Sequence, residues 1–318
     1  MSKKVVVFGS CNVDIFFAVS NMDFFTDTSP GAEDALHFSL HMQAPGGKGA
    51  NQAVAAAKAG AKVYMFGGIG QGAHGRFLIQ NFKDHKISTT GLQKMEQPTG
   101  LAVIMNKPDG SHKLLVSHGA NTVAQSKHVP DSLLTKNSIL LFQTETNIKE
   151  NSKLMKRAKK KGAQIIYNVA PAAALPSADL KMIDFLIVNK PEAEVIAQSQ
   201  NMDASSLPTF AQLMADKYNL MCIVTLGAKG VIAAQAKHDK LIELPCLSVK
   251  VVDTVGAGDA FAGAFAAALA DDVDPVTALA HGITGGSLAC TRVGAQAALP
   301  TAQEIKKHLP SLLKKLKG

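Results

Sequence analysis

The stretch GANQAVAAAKAGAKVYMF, residues 49–66, changes character midway. Residues 49–60 are dominated by alanine, the strongest helix former, and close on Gly60, the residue that most easily takes the left-handed turn at a helix end. Residues 62–66, KVYMF, are short and apolar, the mark of a buried strand. A matching run, KVVVF at residues 4–8, stands upstream, so strand-like segments bracket a helix. Further on, ILLF (139–142), QIIYN (164–168), FLIVN (185–189) and CIVTL (222–226) alternate with helical patterns such as KLMKRAKKKG (153–162) and PTFAQLMADKY (208–218). That alternation predicts an α/β fold: a three-layer, doubly wound, mostly parallel sheet with helices on both faces.

Two segments break the rhythm. Residues at about 15–44 and 98–118 read as strands joined by turns, one of them at Pro108-Asp109-Gly110. They follow separate elements of the main fold and are expected to form a small β-sheet over the strand ends, where open α/β sheets bind ligands, and so to act as a lid. A single domain over 1–318 carrying this lid is the expected organisation; a chain of 318 residues is a common size for one α/β unit.

Hydrophobic residues make up 47% and charged residues 18%, enough apolar surface for a large core and too much for a disordered chain. The net charge of +8 points to an anionic partner but does not choose among nucleic acid, a membrane surface and a small phosphorylated ligand. Much of it sits on helical patterns whose lysines form solvated faces. Nucleic acid is disfavoured by 5% aromatic content, the absence of tryptophan and the lack of a recognition module. No apolar run approaches the ~20 residues that span a bilayer, and Asn12 and Asp14 interrupt the signal-like start. Cys11, Cys222, Cys246 and Cys290 are too dispersed for a CxxC site, and reduced thiols in the cytosol are expected.

Chemistry concentrates in DTVGAGDAFAG, residues 253–263. Gly256, Ala257 and Gly258 leave backbone N–H groups uncovered where an apolar helix begins, a place that attracts anions and phosphate above all. Asp259 beside such an anion can accept the proton of an attacking alcohol. The helix end is expected to lower its pKa, which phosphoryl transfer tolerates because it needs positioning more than basicity. The plain alternative makes Asp259 a helix cap after a flexible turn. In PGGKGANQAVAA (45–56), paired glycines let backbone approach a small ligand, and Lys48 and Asn51 can donate to hydroxyls. GSCNVD (9–14) adds Asn12 and Asp14, the latter able to accept from two adjacent hydroxyls. Singly, each of these is also an ordinary turn or cap residue.

GQGAHG (70–75) matches the GxGxxG pattern of a dinucleotide site between strand and helix, the basis for a rival reading as a dinucleotide-dependent oxidoreductase. The acid that should follow about 20 residues later is missing, so a structural glycine turn is the stronger reading.

Together GSCNVD, GGKGANQAVAAAKAGA, TGLAVI, GAN (119–121), APA (170–172), NKPEAE, VTLGAKG, DTVGAGDAF and TRVGAQ resemble the ribokinase family of sugar kinases along nearly the whole chain. The resemblance implies ATP-dependent phosphorylation of D-ribose on its 5-hydroxyl, with fructose- and adenosine-kinase-like activities as alternatives, in a cytoplasmic homodimer joined through the lid. It implies Asp259 as catalytic base with Gly256, Ala257 and Gly258 as anion hole, and Asn12, Asp14, Gly47, Lys48, Asn51 and Glu145 as sugar ligands. Asn189 and Glu192 match the NxxE pattern that helps place Mg2+ and phosphates, and Thr225 and Gly227 match a loop bordering the nucleotide. Asp253, with carbonyls of Val255, Ala289, Arg292 and Gly294, matches a K+ site. The chain departs from the family at Gly72, where an aspartate is common, at Ala298, where a serine oxygen often stands near the cation, and at Val169, where proline is usual.

Overall fold

The computed structural model describes residues 2–18, 39–106, 112–238 and 240–316. Its strands are β1 Lys4–Phe8, β2 Asn12–Ala18, β3 Ser39–Gly46, β4 Lys62–Gly70, β5 Ser88–Met95, β6 Gly100–Asn106, β7 His112–Ser117, β8 Ser138–Phe142, β9 Gln164–Asn168, β10 Phe185–Asn189, β11 Met221–Thr225, β12 Val231–Gln235 and β13 Ile242–Leu244. Its helices are α1 Lys48–Lys58, α2 Ala73–Asp84, α3 Ile148–Lys160, α4 Ser177–Leu180, α5 Lys190–Ser199, α6 Leu207–Tyr218, α7 Ala257–Ala270, α8 Pro275–Ala289 and α9 Ala302–Leu316. The opening alanine-rich segment is α1, and Gly60 follows it with φ 106°, as its sequence predicts.

The main sheet runs β13-β12-β11-β10-β9-β8-β1-β4-β5. Every pairing from β5 across to β11 is parallel, and β12 and β13 close one edge antiparallel. Successive side chains of a strand point to opposite faces, so the residues of β1 divide: Val5 and Val7 enter one buried cluster, Val6 and Phe8 another. The first cluster lies under α1, α2, α7, α8 and α9, the second under α3, α5 and α6. The three-layer α/β fold is therefore as predicted.

Within the first layer, α7 packs between α1 and α8 through small residues. A Cβ on Gly263 would stand 2.4 Å from the Ala55 methyl carbon and 2.7 Å from the Ala56 nitrogen; one on Gly285 would stand 2.8 Å from the Ala264 methyl carbon. Close backbone approach is what sets the first turns of α1 and α7 side by side.

A second sheet runs β3-β2-β6-β7, with β2 and β6 parallel and the outer pairings antiparallel. Its strands begin at Asn12, ahead of the expected 15, and β3 ends at Gly46, past the expected 44. Residues 19–38 and the turn expected at Pro108-Asp109-Gly110 lie outside the described residues.

Candidate active site

β1 and β8 are neighbours, yet the strands that follow each are added on opposite sides, toward β4 and toward β9. Such a reversal opens a crevice beyond the carboxyl ends of the two strands. Ser10, just past β1, donates to Glu145 Oε2, just past β8, at 2.5 Å. The backbone N–H of Lys48 donates to the same oxygen at 2.9 Å, which ties the start of α1 into the crevice.

Asp14 and Asn12 stand on β2 at the mouth of this crevice. The paired glycines before α1 make room for them: a Cβ on Gly46 would meet Asp14 Oδ2 at 2.1 Å, and one on Gly47, whose φ is 87°, would meet the Asn12 nitrogen at 2.8 Å. The glycines thus serve the protein's own atoms as well as any ligand. Asn12 Oδ1 accepts from Asn121 Nδ2 at 2.7 Å, and the Cys11 N–H donates to Asn121 Oδ1 at 2.8 Å, so a buried asparagine fixes both the loop and the orientation of Asn12.

On the far wall, Gly256 caps α7 with φ 77° and supplies no side-chain cap. Among the described residues, the N–H groups of Gly256 and Gly258 meet no acceptor, whereas that of Ala257 bonds the Thr254 carbonyl at 3.2 Å. The predicted anion hole therefore has two unengaged donors and one partly engaged. Asp259 does not cap the helix, which removes the plain alternative. Its carboxylate is buried and turned to α1, accepting from Asn51 Nδ2 at 3.0 Å on one oxygen and from Gln52 Nε2 at 2.9 Å on the other.

Four acids and one ammonium gather here. Burial, then Glu145 and Asp259, push the Asp14 carboxyl up to about 7. Burial also raises Asp259 above the ordinary carboxylate range, although Lys48 and the amides of Gln52 and Asn51 pull the other way. This corrects the expectation that the helix end would lower it: Asp259 stands in the first turn of α7, but the cost of burying its charge is the larger effect. For Lys48 burial works against the ammonium, but Asp259, Glu145 and Glu192 outweigh it and its pKa rises. Glu192 is raised by burial, opposed by the Asn189 backbone N–H and Lys48.

Asn189 and Glu192 form a reciprocal cap at the start of α5: Glu192 Oε2 accepts from the Asn189 N–H at 2.8 Å and Oε1 from its amide at 3.0 Å, while the Glu192 N–H donates back at 3.0 Å. Asn189 is in register with Thr225 at the adjacent strand end, and Gly227 opens the following turn at φ 57°. Asp253 clasps two loops, accepting from the Val255 N–H at 3.0 Å and the Gly294 N–H at 2.9 Å, and the Val252 N–H reaches Cys290 O at 2.8 Å. Val255, Arg292 and Gly294 lie along these loops and Ala289 ends α8; the Ala289 carbonyl accepts from the Arg292 N–H and the Gly294 carbonyl from the Ala298 N–H, each at 3.3 Å, and the Arg292 side chain is paired to Glu304. The donor types these residues offer, one carboxylate and backbone carbonyls, are all oxygen, the chemistry that suits a hard monovalent cation. Among the described residues no three His, Cys, Asp or Glu side chains are placed to hold a metal ion together.

GQGAHG spans the turn from β4 to α2. A Cβ on Gly75 would stand 2.0 Å from Gly70 O and one on Gly70 2.6 Å from the Thr99 nitrogen, so these glycines serve chain packing. Gly72 has open space around it and ordinary φ −77°. The residues that the sequence left unassigned are amides: Gln52, Gln143, Asn168, Gln296 and Asn121, all buried. Gln52 stands next to Asn51 in the quoted helix, and its polarity amid alanines was the available signal.

Residues 2–302 match the pfkB family of carbohydrate kinases. The chain is 33% identical over 312 residues to the ribokinase of Haemophilus influenzae, covering 97% of this chain and 99% of that protein. It is 29% identical to the deoxyribokinase of Salmonella typhi, covering 96% of this chain and 98% of the relative. The structure of Arabidopsis thaliana ribokinase complexed with ribose and ATP superposes with a TM-score of 0.85 at 28% identity, over 97% of this chain and 99% of that one. With the parallel sheet, the crevice at its switch point and a profile match along almost its whole length, this chain belongs to the pfkB family of carbohydrate kinases.

Proposed function

We propose that this protein transfers the γ-phosphoryl group of ATP to the 5-hydroxyl of D-ribose, giving ribose 5-phosphate. The observation that carries the reading is the placement of Asp259: a buried carboxylate held by two amides, one residue beyond unengaged backbone donors at the start of α7. Asp259 accepts the proton of the attacking hydroxyl, and the donors of Gly256 and Gly258, helped by Ala257, stabilise charge on the migrating phosphoryl group. Its raised pKa makes it a better base than a surface aspartate. Asp14, Asn12, Lys48, Asn51 and Glu145 bind the sugar hydroxyls, with the backbone at Gly47 close by. Asn189, Thr225 and Gly227 border the nucleotide. Bound Mg2+ would neutralise phosphate charge beside Glu192, and K+ at Asp253 would brace the loop that leads into Gly256.

The small sheet serves as the lid of a single domain over 1–318. Its edge strand β7 exposes Leu114, Leu115 and Val116, which suits pairing with the same strand of a second copy. Four free thiols, two of them buried, and the lack among the described residues of any helix long and apolar enough to cross a membrane are compatible with work in the cytoplasm, on sugar and ATP and without nucleic acid or membrane as partner.

A coupled ADP-release assay over a panel of pentoses, hexoses and nucleosides, with and without potassium, tests the assignment; ribose should give the highest kcat/KM. Replacing Asp259 by Asn should leave ATP binding intact and cut turnover by roughly 10²–10⁴. Near-normal turnover of that variant would remove Asp259 from the role of base. A deoxyribose reading has the Salmonella relative in its favour. It is separated by direct comparison: a site built to bond the missing hydroxyl should discriminate by about 10⁴, and equal turnover of the two sugars would show that those bonds are not made.

A further inference from the structure

Asp259 is reached by two chains of amides in which each link donates toward the carboxylate, Gln52 Nε2 donating also to Asn168 Oδ1 at 2.9 Å. In one, Gln143 Nε2 donates to Gln52 Oε1 at 2.7 Å, and Gln52 Nε2 donates to Asp259 Oδ1. In the other, Asn81 Nδ2 on α2 donates to Gln296 Oε1 at 2.9 Å, Gln296 Nε2 donates to Asn51 Oδ1 at 3.0 Å, and Asn51 Nδ2 donates to Asp259 Oδ2. The direction is forced. Were the Asn51 amide reversed, its oxygen would face a carboxylate oxygen, acceptor against acceptor, while its NH2 would face the Gln296 NH2. Each amide is held in the one orientation that leaves its donor on the next acceptor.

Gln296 is buried and lies outside every motif assigned to sugar or nucleotide. It follows Gly294, whose N–H donates to Asp253, and the backbone of Ala295 lies 3.0 Å from where a Cβ on Gly256 would stand. The segment that carries Gln296 thus touches the Asp253 clasp, the cap of α7 and, through Asn51, the carboxylate itself.

We propose that Gln296 is a positioning residue for the phosphoryl-transfer step: it sets the orientation of Asn51, and thereby of Asp259, so that the carboxylate faces the acceptor hydroxyl. The inference rests on Asp259 being the base. It adds a physical connection between the loop over residues 290–299 and the reacting group, one that needs no contact between Gln296 and substrate.

The test compares Gln296→Leu, which keeps bulk and removes both polar ends, with Asp259→Asn and with the double variant, by steady-state kinetics. A misaimed base costs on the order of 10²-fold, so Gln296→Leu should lower kcat by about 10- to 100-fold while KM for ATP stays within twofold. In the Asp259→Asn background the same replacement should cost less than twofold, because the group it aims is already gone. A residue that only supports the fold would lower kcat equally in both backgrounds. Should Gln296→Leu fail to fold, Asn81→Leu at the half-buried outer end of the chain serves instead, with a smaller loss expected and the same disappearance in the double variant. If Asp259→Asn disables turnover while Gln296→Leu and Asn81→Leu both leave kcat at wild type, or if their losses persist undiminished beside Asp259→Asn, the positioning role is wrong and the assignment of Asp259 stands. If Asp259→Asn itself turns over normally, the underlying assignment falls first.

Discussion

Asp14 shows how burial converts an ordinary aspartate into a group that titrates near neutrality. Its carboxyl is pushed up to about 7 by desolvation and by the neighbouring charges of Glu145 and Asp259. Only the ionised form accepts from two sugar hydroxyls, so KM for the sugar should climb as pH falls from 8 to 6 while KM for ATP moves little; a flat sugar KM across that range would contradict the assignment. The same shift has a stability consequence of definite sign. Between the unfolded value near 3.8 and the folded value near 7, the native state holds a proton that the unfolded chain has released, so stability contributed by Asp14 is present at low pH and lost as pH rises through that window. Thermal melts of Asp14→Asn should lack this component, and the wild type should lose more Tm than the variant between pH 5 and 8. At this scale Asp14, Asp259, the glycines and Lys48 stood out in the sequence because their chemistry is unusual where they stand, whereas Glu145 and Glu192 were pointed to only by the family resemblance. The amides that aim them were not, because glutamine and asparagine are common on any surface and only the three-dimensional approach of residues as far apart as Asn51 and Gln296 makes them a network.

The elements that carry the site are set by close packing. Gly263 lets α7 lie against α1, which places Asp259 beside Asn51 and Gln52. Gly263→Val should therefore lose about 1–3 kcal/mol in chemical denaturation and should lower kcat disproportionately among equally destabilised variants, since α7 must shift. The sequence displayed the small residues of this helix but not which neighbour required them. At α2 the logic is reversed. Gly72 occupies the cap position at φ −77° with open space and no side-chain hydrogen bond, so an aspartate there gains a capping oxygen and loses only unfolded-chain entropy. Gly72→Asp should raise stability by about 0.5–1 kcal/mol with turnover unchanged, measured by urea melts. The turn forms without the aspartate common in the family at that position, because Gly70 and Gly75 pack against neighbouring backbone, and only a capping bond is missing. Helix and strand locations were readable from period and composition. The antiparallel edge strands β12 and β13 were not, for they are short and alternate no differently from the parallel ones.

For the molecule as a whole, the alternation of strands and helices was enough to announce a parallel sheet, while the order of strands within it was not, since adjacency depends on which face each crossover takes. The lid edge gives a prediction at this level. Leu115→Glu on β7 places a charge on the exposed strand, so equilibrium sedimentation of that variant should give a monomer where the unaltered chain gives a dimer; a wild-type monomer at micromolar concentration would refute the proposed pairing.

The strand order has one more effect. Because β1 lies between β4 and β8 and both α1 and α7 pack on it, the amide Asn51, which donates to Asp259, meets a partner 245 residues downstream. Contacts so distant in the chain must wait for loop closure over most of its length. The cleft therefore takes its working form only once the segment that carries Gln296 has closed back onto the start of α1.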